Sequence, residues 1–154
     1  MTAAAEIRPV GALDLALVAA LHAACFADGW SAASIAALLA GPGAFGLVAA
    51  VGDQPGGFIL VRPAADEAEI LAIGVLSGLR RRGLGRDLLA AATARLAAEG
   101  VRRLLLEVAE DNIAARRLYQ RAGFAPVGRR PGYYRERGVA TAALILAREI
   151  GGAS

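Results

Sequence analysis

The chain has 154 residues, 56% hydrophobic, 20% charged and 5% aromatic, which excludes a disordered segment and sets an aliphatic core within a single domain over residues 1–154. All 17 basic residues are arginine, and the net charge of +3 is divided unequally: −5 over residues 1–79 and +8 over residues 80–154, so an anionic ligand is expected on the second half. The absence of lysine excludes Schiff-base chemistry and a lysine phosphate clamp, the lone Cys25 excludes an internal disulfide, and one histidine beside one cysteine leaves no ligand set for a metal.

In chain order, "MTAAAEIRPVG" has no basic segment followed by an apolar run, so no secretory signal and a cytoplasmic location are expected. Leu13, Leu17, Ala20, Leu21 and Ala24 fall at helical spacing and predict a first helix to about Cys25. The uncharged stretch from Gly29 to Gly52 has membrane-spanning length, but Gly41-Pro42-Gly43 and Gly46 break it. It reads as a second helix capped by Ser31, a turn and a strand, with no membrane partner. "AFGLVAAV", the turn "GDQPG" and "GFILVRP" make a hairpin. "AEILAIGVL" is a third strand, in which Gly74 marks a bulge or a close backbone approach to a ligand.

After a loop rich in arginine and glycine, Leu84, Leu88, Ala92 and Leu96 form the apolar stripe of a helix ended by Gly100. "RRLLLEVA" has the leucine content of a strand buried on both faces, "NIAARRLYQRAGF" is a short helix ending at Gly123, and "GVATAALILARE" is a last strand. Helices and strands without regular βα alternation indicate an α+β fold, a mixed and mostly antiparallel sheet flanked by helices.

The loop Arg81-Arg82-Gly83-Leu84-Gly85-Arg86 follows a strand and opens a helix. A Walker A loop requires a lysine, and a dinucleotide fingerprint requires a third glycine where Leu88 stands. What remains is a cradle for a pyrophosphate, with backbone amides, the helix dipole and arginines converging on the anion. A solvated arginine cluster at a turn remains open on these residues alone. His22 and Cys25 stand one helical turn apart with no orienting acid, a poor arrangement for a thiol nucleophile. The arginines at 129, 130, 135 and 137, interleaved with Tyr133 and Tyr134, suit either nucleic-acid contact or a substrate-gating loop.

Six motifs, "IGV" (73–75), "RRGLGR" (81–86), "LEV" (106–108), "DN" (111–112), "ARRLYQRAGF" (115–124) and "RRPGYY" (129–134), occur in an order and spacing that resemble the GNAT superfamily of acetyl-CoA-dependent N-acetyltransferases. "LEVAEDNIAARRLYQRAGF", Trp30-Ser31 and Tyr133-Tyr134 are similar to the RimI type, which acetylates the N-terminal amine of a ribosomal protein. The resemblance implies acetyl-CoA as cosubstrate, with Arg81, Arg82, Gly83, Leu84, Gly85 and Arg86 around its pyrophosphate. It further implies Ile73, Gly74 and Val75 along the pantetheine, Asn112 in cofactor contact, Glu107 as general base, Tyr119 as general acid, and Trp30, Tyr133 and Tyr134 beside the acceptor. Such a base must take a proton from an ammonium, and an apolar strand around Glu107 is expected to raise its pKa to suit. Read without the resemblance, Glu107 is equally a carboxylate paired with a nearby arginine, and Tyr119 a core residue.

Two positions depart from the family pattern: Ser77 replaces a usual proline, and Ala140-Thr141-Ala142 replaces acidic residues at the start of the last strand. The expected function is direct acetyl transfer to a protein N-terminal α-amine. The alternatives are a small amine or lysine acceptor, or a non-catalytic module that binds CoA or RNA.

Overall fold

The computed structural model describes residues 5–136 and 139–151. Strand β1 (Ala5–Pro9) precedes helices α1 (Leu15–Cys25) and α2 (Ala32–Leu39), and strands β2 (Phe45–Val51), β3 (Gln54–Ala64) and β4 (Glu67–Val75) follow. Then come α3 (Leu84–Ala98), β5 (Arg103–Ala109), α4 (Ile113–Arg121), β6 (Ala125–Glu136) and β7 (Val139–Glu149). The strands form one seven-stranded sheet in the order β1-β2-β3-β4-β5-β7-β6. Neighbours are antiparallel except β4 and β5, which α3 joins by the crossover that a parallel pair requires. The α+β sheet expected from the sequence is thus observed, and two strands absent from that reading, β1 and β6, form its edges.

Local chemistry accounts for the helix ends. Ser31 Oγ accepts the Ser34 amide at 3.1 Å and starts α2, while Gly100 and Gly123, at φ of 88° and 94°, end the turns after α3 and α4. Helix α3 buries Leu84, Leu88, Leu89, Ala92 and Leu96 against Ile59, Val61 and Ile70 of the sheet, and Tyr119 of α4 joins the same cluster. On the opposite face α1 and α2 enclose Val18, Leu21 and Ile35 against Val48, Phe58 and Leu60. The sheet is therefore covered on both sides.

Three expectations change. The buried stripe of α1 runs through Val18, Leu21 and His22, whereas Leu13 is 99% exposed in a one-turn helix before α1. Alanine on every side of that segment makes several stripes fit the same period. In β5, Leu104, Leu106 and Val108 are buried while the residues between them are only partly covered, so one face carries the packing. The bulge considered for Gly74 sits earlier, at Leu71, and an added Cβ on Gly74 would stand 2.9 Å from both Cys25 Sγ of α1 and Phe58 Cε1.

The two readings of the first helix differ in a measurable way. Val18→Ala should cost about 2 kcal/mol in urea denaturation, and Leu13→Ala less than about 0.5 kcal/mol. A larger loss at Leu13 would restore the stripe expected from spacing.

Candidate active site

Strands β4 and β5 are paired only from Glu67–Arg103 to Ile70–Leu106. Beyond that point the bulge at Leu71 bends β4, which continues along β3 to Val75, while β5 continues along β7 to Ala109. The two strands part, and the backbone of residues 71–75 has no strand partner on the β5 side. Glu107 is the first β5 residue past the last pair.

The N-terminus of α3 closes one end of this gap. Gly83 stands at its N-cap with φ 79° and no side-chain cap, so the amides of the first turn are turned outward. Arg81, also at positive φ (69°), Arg82 and Arg86 are exposed around it. Gly85 lies where α3 meets α4 and β4: an added Cβ would stand 3.1 Å from Leu118 Cδ2 and 3.9 Å from Val75 Cγ2. The loop is seated from below by Leu79, which fills the space that a side chain on Gly56 would need, and by the Leu76 amide, which donates to the Gly56 carbonyl at 2.8 Å. Arg80 Nε donates to the Val75 carbonyl at 3.2 Å, a contact that the sequence reading missed although Arg80 begins the arginine run.

At the other end of the gap Glu107, 24% exposed, pairs with Arg130 of β6 at 3.2 Å. Arg130 also lies 5.4 Å from the Tyr133 ring, which meets Tyr134 edge-on at 5.1 Å. Burial, with Glu107 and Tyr133 nearby, pushes the Tyr134 hydroxyl up. Burial raises the Tyr119 hydroxyl much further, with Tyr134 adding to it, so Tyr119 keeps its proton throughout the neutral range. Tyr119 is 7% exposed and packs edge-on against Phe124 at 5.9 Å. Asn112 caps α4, its Oδ1 accepting the Ala115 amide at 3.2 Å. Beside that cap a groove of about 350 Å³ lies between Glu110, Arg116 and Arg129 and residues 140–142. There Arg129 holds the Glu110 carboxyl below the usual range by hydrogen bonding, and Arg116 Nη1 donates to the Glu110 carbonyl at 2.8 Å.

A helix start bordered by arginines and a strand gap with unpaired backbone thus lie together, with the Glu107 carboxylate just past the last β4–β5 pair. Residues 15–124 match the Acetyltransferase (GNAT) family. The chain belongs to that family.

A mycothiol acetyltransferase of Beutenbergia cavernae is 46% identical over 65 residues, 42% of this chain and 22% of that protein. A Bacillus subtilis relative named provisionally as a ribosomal protein bS18-alanine N-acetyltransferase is 30% identical over 90% of this chain and 92% of its own length. The crystal structure of the ribosomal-protein-S18-alanine N-acetyltransferase from Escherichia coli superposes with a TM-score of 0.90 at 28% identity, over 98% of this chain and 97% of that one. The chain spans about a fifth to about half of the length of the first curated relatives it matches, 22% and 55%.

In this GNAT chain the residues expected at the site fall into two groups. Ile73, Gly74 and Val75 line the gap, Glu107 stands at its start, residues 81–86 lie beyond its open end, and Tyr133 and Tyr134 join Glu107 through Arg130, while Asn112 caps α4 and Tyr119 packs in the core against Phe124. Trp30 lies on a separate element, stacked on His22 at 4.4 Å in the connection between α1 and α2. Residues 129–134 form part of strand β6, not a loop. Arg129 and Arg130 are spent on Glu110 and Glu107, which removes them from a free nucleic-acid patch; Arg137 and the side chain of Arg135 lie outside the described residues. The pairing with Arg130 replaces the purely apolar surroundings expected for Glu107. Cys25, whose thiol burial raises, is no activated nucleophile. Among the described residues no three His, Cys, Asp or Glu side chains are grouped to hold a metal, and no helix is long and apolar enough to cross a membrane.

Because Leu79 occupies the space above Gly56, Gly56→Ala should unseat the α3 loop at a cost of about 1–3 kcal/mol. Acetyl-CoA affinity measured by calorimetry should fall with it. Wild-type stability and affinity together would show that Leu79 does not seat the loop.

Proposed function

We propose that this chain transfers the acetyl group of acetyl-CoA directly to a primary amine, and that the acceptor is the α-amine of a protein N-terminus, as in the RimI type. The observation that carries the reading is the position of Glu107 just past the last β4–β5 pair, at a gap whose far end is the arginine-bordered start of α3. Likeness to the Escherichia coli S18-alanine enzyme over nearly the whole chain supports the acceptor class. This reading places the protein in the cytoplasm with ribosomal protein N-termini among its partners.

In this reading Arg81, Arg82 and Arg86, with the amides at Gly83, Leu84 and Gly85, hold the pyrophosphate by charge and helix dipole. Ile73, Gly74 and Val75 align the pantetheine along the open edge of β4, and Asn112 contributes its remaining amide donors. Acetyl-CoA supplies the thioester carbonyl. Glu107 takes a proton from the incoming ammonium, directly or through one water, so that nitrogen bonds to the carbonyl carbon as the carbon–sulfur bond breaks. Tyr119, held protonated by its burial, donates to the departing sulfur and regains a proton from the new amide nitrogen, directly or through water. Trp30, Tyr133 and Tyr134 flank the acceptor.

The match to mycothiol acetyltransferases favours a second reading, a small-molecule amine as acceptor. Acetyl-CoA consumption against a peptide with a free N-terminal alanine, an N-terminally blocked lysine peptide and a polyamine separates them: the first should be preferred, and inert peptides beside an active small amine would reverse the assignment. Tyr119→Phe keeps the ring and removes the donor, so kcat should fall roughly 10²- to 10⁴-fold with acetyl-CoA binding and melting temperature retained. A folded variant with wild-type single-turnover rates would exclude the donor role.

A further inference from the structure

His22 is the buried polar side chain of the core, 2% exposed, at a position on the inner stripe of α1 where leucine would serve packing equally well. A buried imidazole without a partner destabilises the fold, so its hydrogen bonds show what it is for. Its carbonyl accepts the Phe26 amide at 2.9 Å and ends α1. Its Nδ1 accepts the Trp30 amide at 3.1 Å, immediately before the Ser31 cap of α2. One residue therefore fastens both ends of the connection over residues 26–30. The ring is stacked on Phe26 at 4.6 Å and on Trp30 at 4.4 Å, and Phe58 of β3 lies 5.7 Å away. Gly29 folds the connection tightly back on α1, where an added Cβ would stand 2.9 Å from Ala23 Cα. Among the described residues, the Trp30 amide makes the one hydrogen bond that ties residues 27–30 to the body of the fold.

Accepting at Nδ1 requires the neutral imidazole with its proton on Nε2, and burial favours that form. A phenylalanine would keep the stack and lose the acceptor. The connection carries Trp30, which stands on the sheet face toward which Glu107 points, since Leu106 and Val108 on either side of Glu107 belong to the opposite cluster.

We propose that His22 is a positioning residue: by accepting the Trp30 amide it fixes the α1–α2 connection as one wall of the acceptor groove and so sets acceptor affinity without touching acetyl-CoA. The inference rests on the acceptor role proposed above for Trp30.

Trp30 is the one tryptophan of the chain, so its fluorescence reports this contact directly. In His22→Phe the emission should move to longer wavelength and become more accessible to acrylamide. KM for a peptide with a free N-terminal alanine should rise about tenfold, the equivalent of one hydrogen bond, with KM for acetyl-CoA within about twofold of wild type. His22→Asn, whose Oδ1 stands close to the Nδ1 position, should recover much of the peptide KM. Gly29→Ala displaces the same connection without altering His22 and should reproduce both the spectral shift and the split in KM, which keeps the test open if His22→Phe fails to fold. An unchanged peptide KM in folded His22→Phe and Gly29→Ala overturns the proposal, as does an unchanged emission spectrum. Wild-type protein that acetylates no peptide amine overturns the acceptor reading itself, and this inference with it, before any variant is made.

Discussion

The parting of β4 and β5 after four paired residues is the constraint on which the site depends. Parallel strands joined by a crossover helix ordinarily stay paired along their length, because each buried backbone amide and carbonyl needs a partner. Here the bulge at Leu71 turns β4 aside, and β7 satisfies β5 from its other edge. The cost is a stretch of β4 backbone open on one side at the centre of the sheet. That same stretch ends beneath the start of α3, so an open edge and a cluster of helix amides face one space. Leu79 against Gly56 and Arg80 on the Val75 carbonyl hold the two together.

Around this gap the molecule divides its work between faces. Helices α3 and α4 supply the deep core on one side, Tyr119 included. Helices α1 and α2 cover the other side thinly, with a short connection between them whose Trp30 amide is accepted by His22. Glu107 and Arg130 join β5 to β6 across β7, so the carboxylate is held by a strand that is not its neighbour in the sheet. Removing the edge strand would therefore disturb the site as well as the sheet.

Local features were legible in the sequence wherever a residue carries its own instruction. Ser31, Gly83, Gly100 and Gly123 mark helix ends by capping chemistry or backbone freedom, and the α3 stripe has an unambiguous period. The α1 stripe was misread because alanine surrounds it and leaves Leu13 and Val18 equally plausible. Strand β6 was hidden by Pro126, Gly128, Pro131 and Gly132, which suit an edge strand with irregular register but read as a loop. The residues of the candidate site stood out in the sequence as motifs, yet the ion pair of Glu107 with Arg130, the seat of Leu79 on Gly56 and the tie from His22 to Trp30 join residues brought together only by folding. No periodicity encodes such contacts.

The cations around the start of α3 are all guanidinium groups, and in the acetyl-transfer reading proposed above Arg80 lies against the strand end where a thioester would rest. An amine in that position would be a target for the very reagent the cleft is shaped to hold, losing its charge with each stray acylation. Guanidinium remains protonated and is a poor nucleophile at any working pH. With no lysine in its sequence, the chain would, on that reading, keep a cradle that its own ligand cannot erode, and its electrostatics should age little however long it is kept with acetyl donor.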